Sequence, residues 1–193
     1  MKILLLFAHP VETSSNAALN RLIVERLTAG GHEVDDCELY AEDYDPRWSR
    51  AERLAYHDPR SPDDPVYAYV ERLKRAEALV LCFPVWNYGY PAILKGFFDR
   101  VFLPGVSFRM VDGKAQPSLH NITKAAVVTS YGGSRFRAFL MGDPPRKLGK
   151  RLLRSTIKPF APVTYLAHYS MNVSTEASRD RFLGKVGRAM ERF

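Results

Sequence analysis

Four short apolar runs constrain this chain more than any other feature of it. They are Lys2–Ala8 (KILLLFA), Ala78–Phe83 (ALVLCF), Ala125–Ser130 (AAVVTS) and Val163–His168 (VTYLAH). Each is nearly continuous rather than alternating. A strand reads this way when both faces of its sheet are covered; one wet face would impose an alternation of apolar and polar residues. A fifth candidate, Glu33–Leu39 (EVDDCEL), carries Glu33, Asp35, Asp36 and Glu38, and that much charge suits an edge strand.

Helical patterns separate these runs. Asn16–Ala29 places Leu19, Leu22, Ile23 and Leu27 at helical spacing, and Gly30 and Gly31 end it. Pro65–Ala76, Ala92–Phe102, Pro145–Lys158 and Thr175–Phe193 carry similar stripes, the last with Ser174 as N-cap. Their apolar faces point to the core and are assigned no chemistry. Strand and helix alternate from end to end, which predicts a five-stranded parallel sheet with helices wound onto both faces by right-handed crossovers. Two longer excursions interrupt the order. Tyr40–Asp64, with Pro46, Pro59 and Pro62, is expected to be partly helical, and Pro104–Pro117 to hold a hairpin around Asp112 and Gly113.

With 193 residues, residues 1–193 are expected to form a single domain. The N-terminal apolar stretch ends at His9 and Pro10. That is shorter than a secretory h-region of roughly 7–15 residues and far short of the roughly 20 residues that span a bilayer, so no transmembrane segment is expected. Cys37 and Cys82 are the only cysteines. They form no disulfide framework and no zinc spacing, so no metal is expected and a cytoplasmic location is. Cys82, inside an apolar run, reads as core. The net charge is +7, from 28 Lys and Arg against 21 Asp and Glu. Such a balance suits nucleic acid, a membrane surface or anionic small ligands. The basic residues gather at Arg135, Arg137, Arg146, Lys147, Lys150, Arg151 and Arg154. No aromatic interleaving or nucleic-acid motif accompanies them, so nucleic acid is not the expected partner.

Ligands of open α/β sheets bind beyond the carboxyl ends of the strands, where the strand order reverses. Three loops therefore carry the chemistry. His9–Asn16 (HPVETSSN) lacks a GxGxxG or Walker lysine, but offers hydroxyls and an amide where the first helix begins, a place that suits a phosphate. The alternative is that Ser14 or Ser15 only caps the helix. Pro84–Pro91 (PVWNYGYP) packs three aromatics, two prolines and a glycine into one loop. It suits the edge of a flat heterocycle; the alternative is an aromatic loop packed on the sheet or at a dimer contact. Ser130–Arg135 (SYGGSR) has a glycine pair that lets backbone approach a ligand closely.

Three stretches carry a family resemblance. Tyr90–Phe108 (YPAILKGFFDRVFLPGVSF) resembles the PAILKG-(aromatic)-x-(D/E)-RVF segment of the flavodoxin-like NAD(P)H dehydrogenase (quinone) family, which includes ancillary subunits of bacterial potassium-efflux systems. Ala8–Asn16 (AHPVETSSN) is similar to that family's first loop, and Tyr44–Glu52 (YDPRWSRAE) to its first excursion.

The resemblance implies a flavodoxin-like doubly wound sheet of order 2-1-3-4-5. It also implies a flavin-dependent oxidoreductase that passes two electrons from NAD(P)H to a quinone-like acceptor by a ping-pong hydride mechanism. His9, Ser15 and Asn16 would hold the flavin phosphate and ribityl region. Pro84, Val85, Trp86, Asn87 and Tyr88 would meet one edge of the ring, and Ser130, Tyr131, Gly132 and Gly133 its other side. The family is homodimeric. FMN is expected over FAD, because larger FAD-binding members continue past the last helix whereas this chain stops at Phe193. Some members have a Tyr and a His downstream of the glycine pair; Ser134–Gly142 (SRFRAFLMG) has neither, so no catalytic side chain is assigned. Arg135 or Arg137 near a 2′-phosphate would favour NADPH. A different class of reading is a flavin-binding regulatory subunit with peripheral contact to a membrane transporter. A third is a one-electron carrier, although carriers of that kind are acidic with T-x-T-G-x-T in the first loop.

Overall fold

The computed structural model describes residues 1–58 and 61–193, which leaves Pro59 of the first excursion outside the described residues. Seven strands form. They are β1 (Lys2–Phe7), β2 (Glu33–Glu38), β3 (Ala78–Val85), β4 (Phe108–Val111), β5 (Lys114–Pro117), β6 (Lys124–Tyr131) and β7 (Val163–His168). Five of them make a parallel sheet in the order β2-β1-β3-β6-β7. Counted without the hairpin strands β4 and β5, this is the order 2-1-3-4-5 that the resemblance implies. The hairpin turns at Asp112 and Gly113, both at positive φ (50° and 74°), the geometry a two-residue type I′ turn requires.

The strand side chains alternate between two cores. Leu4 and Leu6 join Val70 and Leu73 of α3 (Tyr67–Arg75) and Phe97 and Val101 of α4 (Ala92–Val101) on one face. Ile3, Leu5 and Phe7 join Ile23 and Leu27 of α1 (Ser15–Ala29) and Val186 and Met190 of α7 (Glu176–Met190) on the other. With helices on both sides, no strand interior needs a polar face, which is why the runs read as continuous. Cys37 and Cys82 are buried free thiols, and burial pushes both thiols up, away from the reactive thiolate.

The excursion after β2 carries α2 (Arg50–Leu54), started by a capping box between Ser49 and Glu52. It is locked onto α4. A Cβ at Gly96 would run into Pro46, so only glycine lets the two segments close. Arg100 donates to the Asp45 carbonyl and to Glu52, with its Nε 3.1 Å from Oε1. These two side chains are only 5% and 12% exposed. Burial pushes the Glu52 carboxyl up, but hydrogen bonds from Arg100 and Ser49 outweigh it and hold it below the ordinary range.

Four expectations change in detail. β3 and β6 run on past Phe83 and Ser130, so Pro84 and Val85 are strand residues that pair with Ser130 and Tyr131. Proline only lacks a donor there, and the Thr129 hydroxyl donates to the Phe83 carbonyl at 2.7 Å beside it. The expected helix Pro145–Lys158 is instead α6 (Pro144–Lys147) followed by a π-helical turn, Leu148–Leu152. An unexpected short helix, α5 (Arg135–Leu140), precedes them. Its apolar residues lie mostly in solvent, so no buried stripe announced it. Finally α7 is capped by Thr175, whose hydroxyl accepts the Ser178 N–H at 3.2 Å, and not by Ser174.

Candidate functional site

The three loops converge at the carboxyl end of the sheet, around the place where β1 and β3 diverge. In the first loop Ser14 is the cap of α1, its hydroxyl accepting the Ala17 N–H at 3.1 Å. That leaves the Ser15 hydroxyl uncommitted. The backbone N–H groups of Ser15 and Asn16, the first two of the helix, make no hydrogen bond among the described residues. Two aligned donors at the positive end of a 15-residue helix suit an anion. His9 half-faces this space. Its Nδ1 accepts the Val11 N–H at 3.0 Å and its ring lies edge-on to Trp86, 5.8 Å away. Burial lowers its pKa, which favours the neutral ring.

Asn16 does something the sequence did not reveal. Its buried amide donates to the Ser130 hydroxyl at 3.0 Å, and that hydroxyl lies 3.3 Å from the amide oxygen. The first loop is thereby tied to the end of β6, with Cys82 of β3 reaching the Asn16 carbonyl between them.

The second loop is a tight turn. Trp86 and Gly89 exchange backbone hydrogen bonds of 3.3 and 2.8 Å, and the two residues between them, Asn87 and Tyr88, have φ of 48° and 56°. This is again type I′ geometry. Asparagine tolerates it; tyrosine does so at a cost of order 1–3 kcal/mol. The strain keeps the Asn87 and Tyr88 N–H groups out of any hydrogen bond among the described residues and leaves Trp86 41% exposed above them. The Tyr88 hydroxyl reaches the third loop, 3.5 Å from where a Cβ on Gly133 would stand. A Cβ on Gly132 would come within 3.1 Å of the Asn172 amide. At Gly132 a side chain would press on Asn172, whereas at Gly133 it would only touch the Tyr88 hydroxyl.

Pro84 and Val85 pair with Ser130 and Tyr131, His9 lies beside Trp86, and the Tyr88 hydroxyl comes near Gly133, so the three loops meet at one end of the sheet. Tyr131 differs from its neighbours. It is buried, with its hydroxyl donating to Asp143 at 2.6 Å and accepting from the Tyr165 hydroxyl at 2.6 Å, while its ring stacks on Tyr169 at 4.6 Å. Burial and the Asp143 acceptor push its pKa far up. It is a packed support under the third loop. Asp143, Tyr165 and Tyr169 were not predicted, because only tertiary packing brings them to Tyr131.

Among the clefts beside the loops, two concern the site most. One, of about 250 Å³, lies between α1 and α7 beside Ser15 and Ser130 and takes in His168, Glu176 and Arg179. The last helix, given no chemistry from its stripe, contributes its first turns there. The other, of about 450 Å³, is basic and lies beyond Tyr131 between α5 and the π turn. Among the described residues there is no cluster of side chains placed to hold a metal ion, and no helix long and apolar enough to cross a membrane.

A flat ring with a phosphate tail fits this arrangement: free N–H groups at a helix start for the phosphate, two unbonded N–H groups on a rigid turn for the ring edge, and glycine backbone beside them. An NAD(P)H dehydrogenase [quinone] 1 from Cavia porcellus is 32% identical over 157 residues, which are 72% of this chain and 56% of that protein. An FMN-dependent NADH:quinone oxidoreductase from Clostridium perfringens is 28% identical over 129 residues, 65% of this chain and 61% of that one. The chain spans about half the length of several curated relatives it matches. The solved NAD(P)H:quinone oxidoreductase from Methanothermobacter marburgensis superposes with a TM-score of 0.84 at 26% identity, over 100% of this chain and 96% of that one. Residues 1–181 match the family described by its flavodoxin-like fold, and the chain belongs to that family.

Proposed function

We propose that this chain is a single-domain, flavin-dependent NAD(P)H oxidoreductase that holds FMN and reduces quinone-like acceptors. The observation that carries the reading is that the unbonded N–H groups of Ser15, Asn16, Asn87 and Tyr88 and the glycine pair Gly132 and Gly133 all lie in loops at the carboxyl end of the sheet. The names of the relatives described above support it. FMN, when bound, supplies the two-electron hydride chemistry. The residues position it: Ser15 and Asn16 on the phosphate, the Trp86–Tyr88 turn on the ring edge, and the glycine pair on the other side. His9, whose ring lies edge-on to Trp86, would stand between phosphate and ring. No side chain is assigned as acid or base, since Tyr131 is committed to Asp143 and Tyr165.

The regulatory-subunit alternative is not favoured, because the relatives are named as oxidoreductases. The buried free thiols support a reducing cytoplasm as the location. A homodimer is supported by the resemblance and by Phe136 and Leu140, exposed one turn apart on α5, which a second copy would cover. The test is the visible spectrum of the purified protein after incubation with FMN. A flavin spectrum that bleaches with NAD(P)H and returns on adding a quinone is the expected result; a protein that takes up no flavin refutes the reading.

A further inference from the structure

The basic cleft beyond Tyr131 is lined by none of the residues assigned above to the flavin. It is lined by Arg135, Arg146, Lys147, Lys150 and Arg151, with Asp143 as its one carboxylate. None of the five cations is in an ion pair among the described residues. Asp143 accepts the Tyr131 hydroxyl on one oxygen at 2.6 Å, and a single carboxylate offsets only one of the five positive charges. Five like charges around one hollow repel each other, and a structural role would pair them. The arrangement has a geometric cause. Lys147, Lys150 and Arg151 come to one cleft along the π turn, and π turns frequently mark functional sites.

Two further groups narrow the ligand. The buried Tyr169 hydroxyl lines the same cleft and, with the Arg146 guanidinium beside it, has no well-aligned hydrogen-bond partner. A buried hydroxyl left this way is a donor waiting for an acceptor. Phe139 stands at the rim, 74% exposed, four residues after Arg135 and on the same side of α5. Guanidinium and ammonium groups with a hydroxyl donor recognise a phosphate, and an open aromatic face recognises a flat base. Base and phosphate monoester together are a phosphorylated nucleoside.

We infer that this cleft binds the adenosine 2′-phosphate end of NADPH and makes the chain prefer NADPH over NADH. The inference rests on the oxidoreductase reading for its direction. The cleft adjoins the flavin loops through Tyr131, whose ring stacks on Tyr169 at 4.6 Å, so a dinucleotide with its nicotinamide over the glycine pair has its far end on this side. Arg146, Lys150 and Phe139 line the same cleft, which brings cations for a phosphate and an aromatic face for a base within reach of one ligand.

The test is calorimetric titration of the purified protein with 2′,5′-ADP, 5′-AMP and inorganic pyrophosphate, in parallel with donor kinetics and a flavin spectrum. The 2′-phosphate is expected to tighten binding roughly tenfold over 5′-AMP, the size of one charge-assisted contact set. Lys147→Glu with Lys150→Glu should erase that difference and lower the ratio of NADPH to NADH kcat/KM. Lys147→Gln with Lys150→Gln, which brings no new charge, should do the same in part, and Phe139→Ala should weaken both adenosine ligands. Equal affinity for 2′,5′-ADP and 5′-AMP overturns the inference. So does pyrophosphate binding as tightly as 2′,5′-ADP, which would make the cleft a general anion site, and so does an unchanged donor ratio in both folded charge variants. A sample without flavin that still discriminates 2′,5′-ADP refutes the oxidoreductase reading alone. A flavin-loaded sample that does not discriminate refutes the cleft alone.

Discussion

The junction between residues 45–52 and α4 differs in kind from the rim of three loops above the sheet, although recognisable motif residues build both. At the junction everything is satisfied. Gly96 admits Pro46, Arg100 is surrounded by acceptors, and Glu52 serves both its own helix cap and the buried arginine. At the rim, donors are left open: helix-start N–H groups at Ser15 and Asn16, turn N–H groups at Asn87 and Tyr88, and a tyrosine held at φ 56°. The motif most typical of the family, around PAILKG, therefore marks scaffolding. The ligand-facing residues belong to the less regular stretches. Specific sequence and functional sequence are different things here, because a buried ion pair against a glycine tolerates less variation than a turn that offers only its backbone.

The difference predicts opposite phenotypes. Arg100→Ala leaves Glu52 buried without its partner and should cost about 3–5 kcal/mol in denaturant unfolding, with FMN affinity of the folded fraction unchanged. The pair Arg100→Leu with Glu52→Leu should recover most of that loss, which separates the cost of an orphaned charge from the worth of the bridge. A smaller effect is expected at Asp36, on β2 beneath the rim. Burial first, then nearby Glu38, Asp35 and Glu42, push its carboxyl up to about 6 against the Asn20 hydrogen bonds that lower it. The folded state then binds more proton than the unfolded state, whose carboxyl titrates near pH 4. Stability should fall as pH rises from about 4 to about 6 and stay reduced above that. Asp36→Asn should add about 2 kcal/mol at pH 7 and nothing near pH 4, read from chemical denaturation at the two pH values. Smallest in stability is Tyr88→Gly. It relieves the positive φ but loses side-chain packing, so unfolding free energy should stay within about 1 kcal/mol of the parent. Its FMN affinity should drop roughly tenfold through a looser turn. A rim variant that unfolds the protein, or a junction variant that empties an otherwise folded site, would break the distinction.

Much of this architecture was legible in the sequence, for a physical reason. Strands covered on both faces must be apolar throughout, so KILLLF and ALVLCF announce themselves, and the acidic β2 announces an edge. The loops at strand ends were legible because site position follows from topology. What was hidden depends on partners far away in the chain. Nothing around Asn16 foretells Ser130, and nothing around Tyr131 foretells Asp143, Tyr165 and Tyr169. The charges at Lys147, Lys150 and Arg151 were visible as charges, but their meeting in one hollow depends on a π turn that an ordinary helical stripe does not anticipate. Ser14 and Ser15 could not be told apart until the helix start was fixed; one is the cap and the other is left open.

The bond pair between Asn16 and Ser130 bears on the speed of loading as well as its strength. Because the amide and the hydroxyl bind each other below the surface, neither loop can shift without breaking buried hydrogen bonds. The frame stands assembled before any ligand arrives. A flavin entering it then meets no rearrangement to wait for, and its uptake should rise in a single exponential whose rate grows linearly with FMN concentration, limited by encounter and alignment.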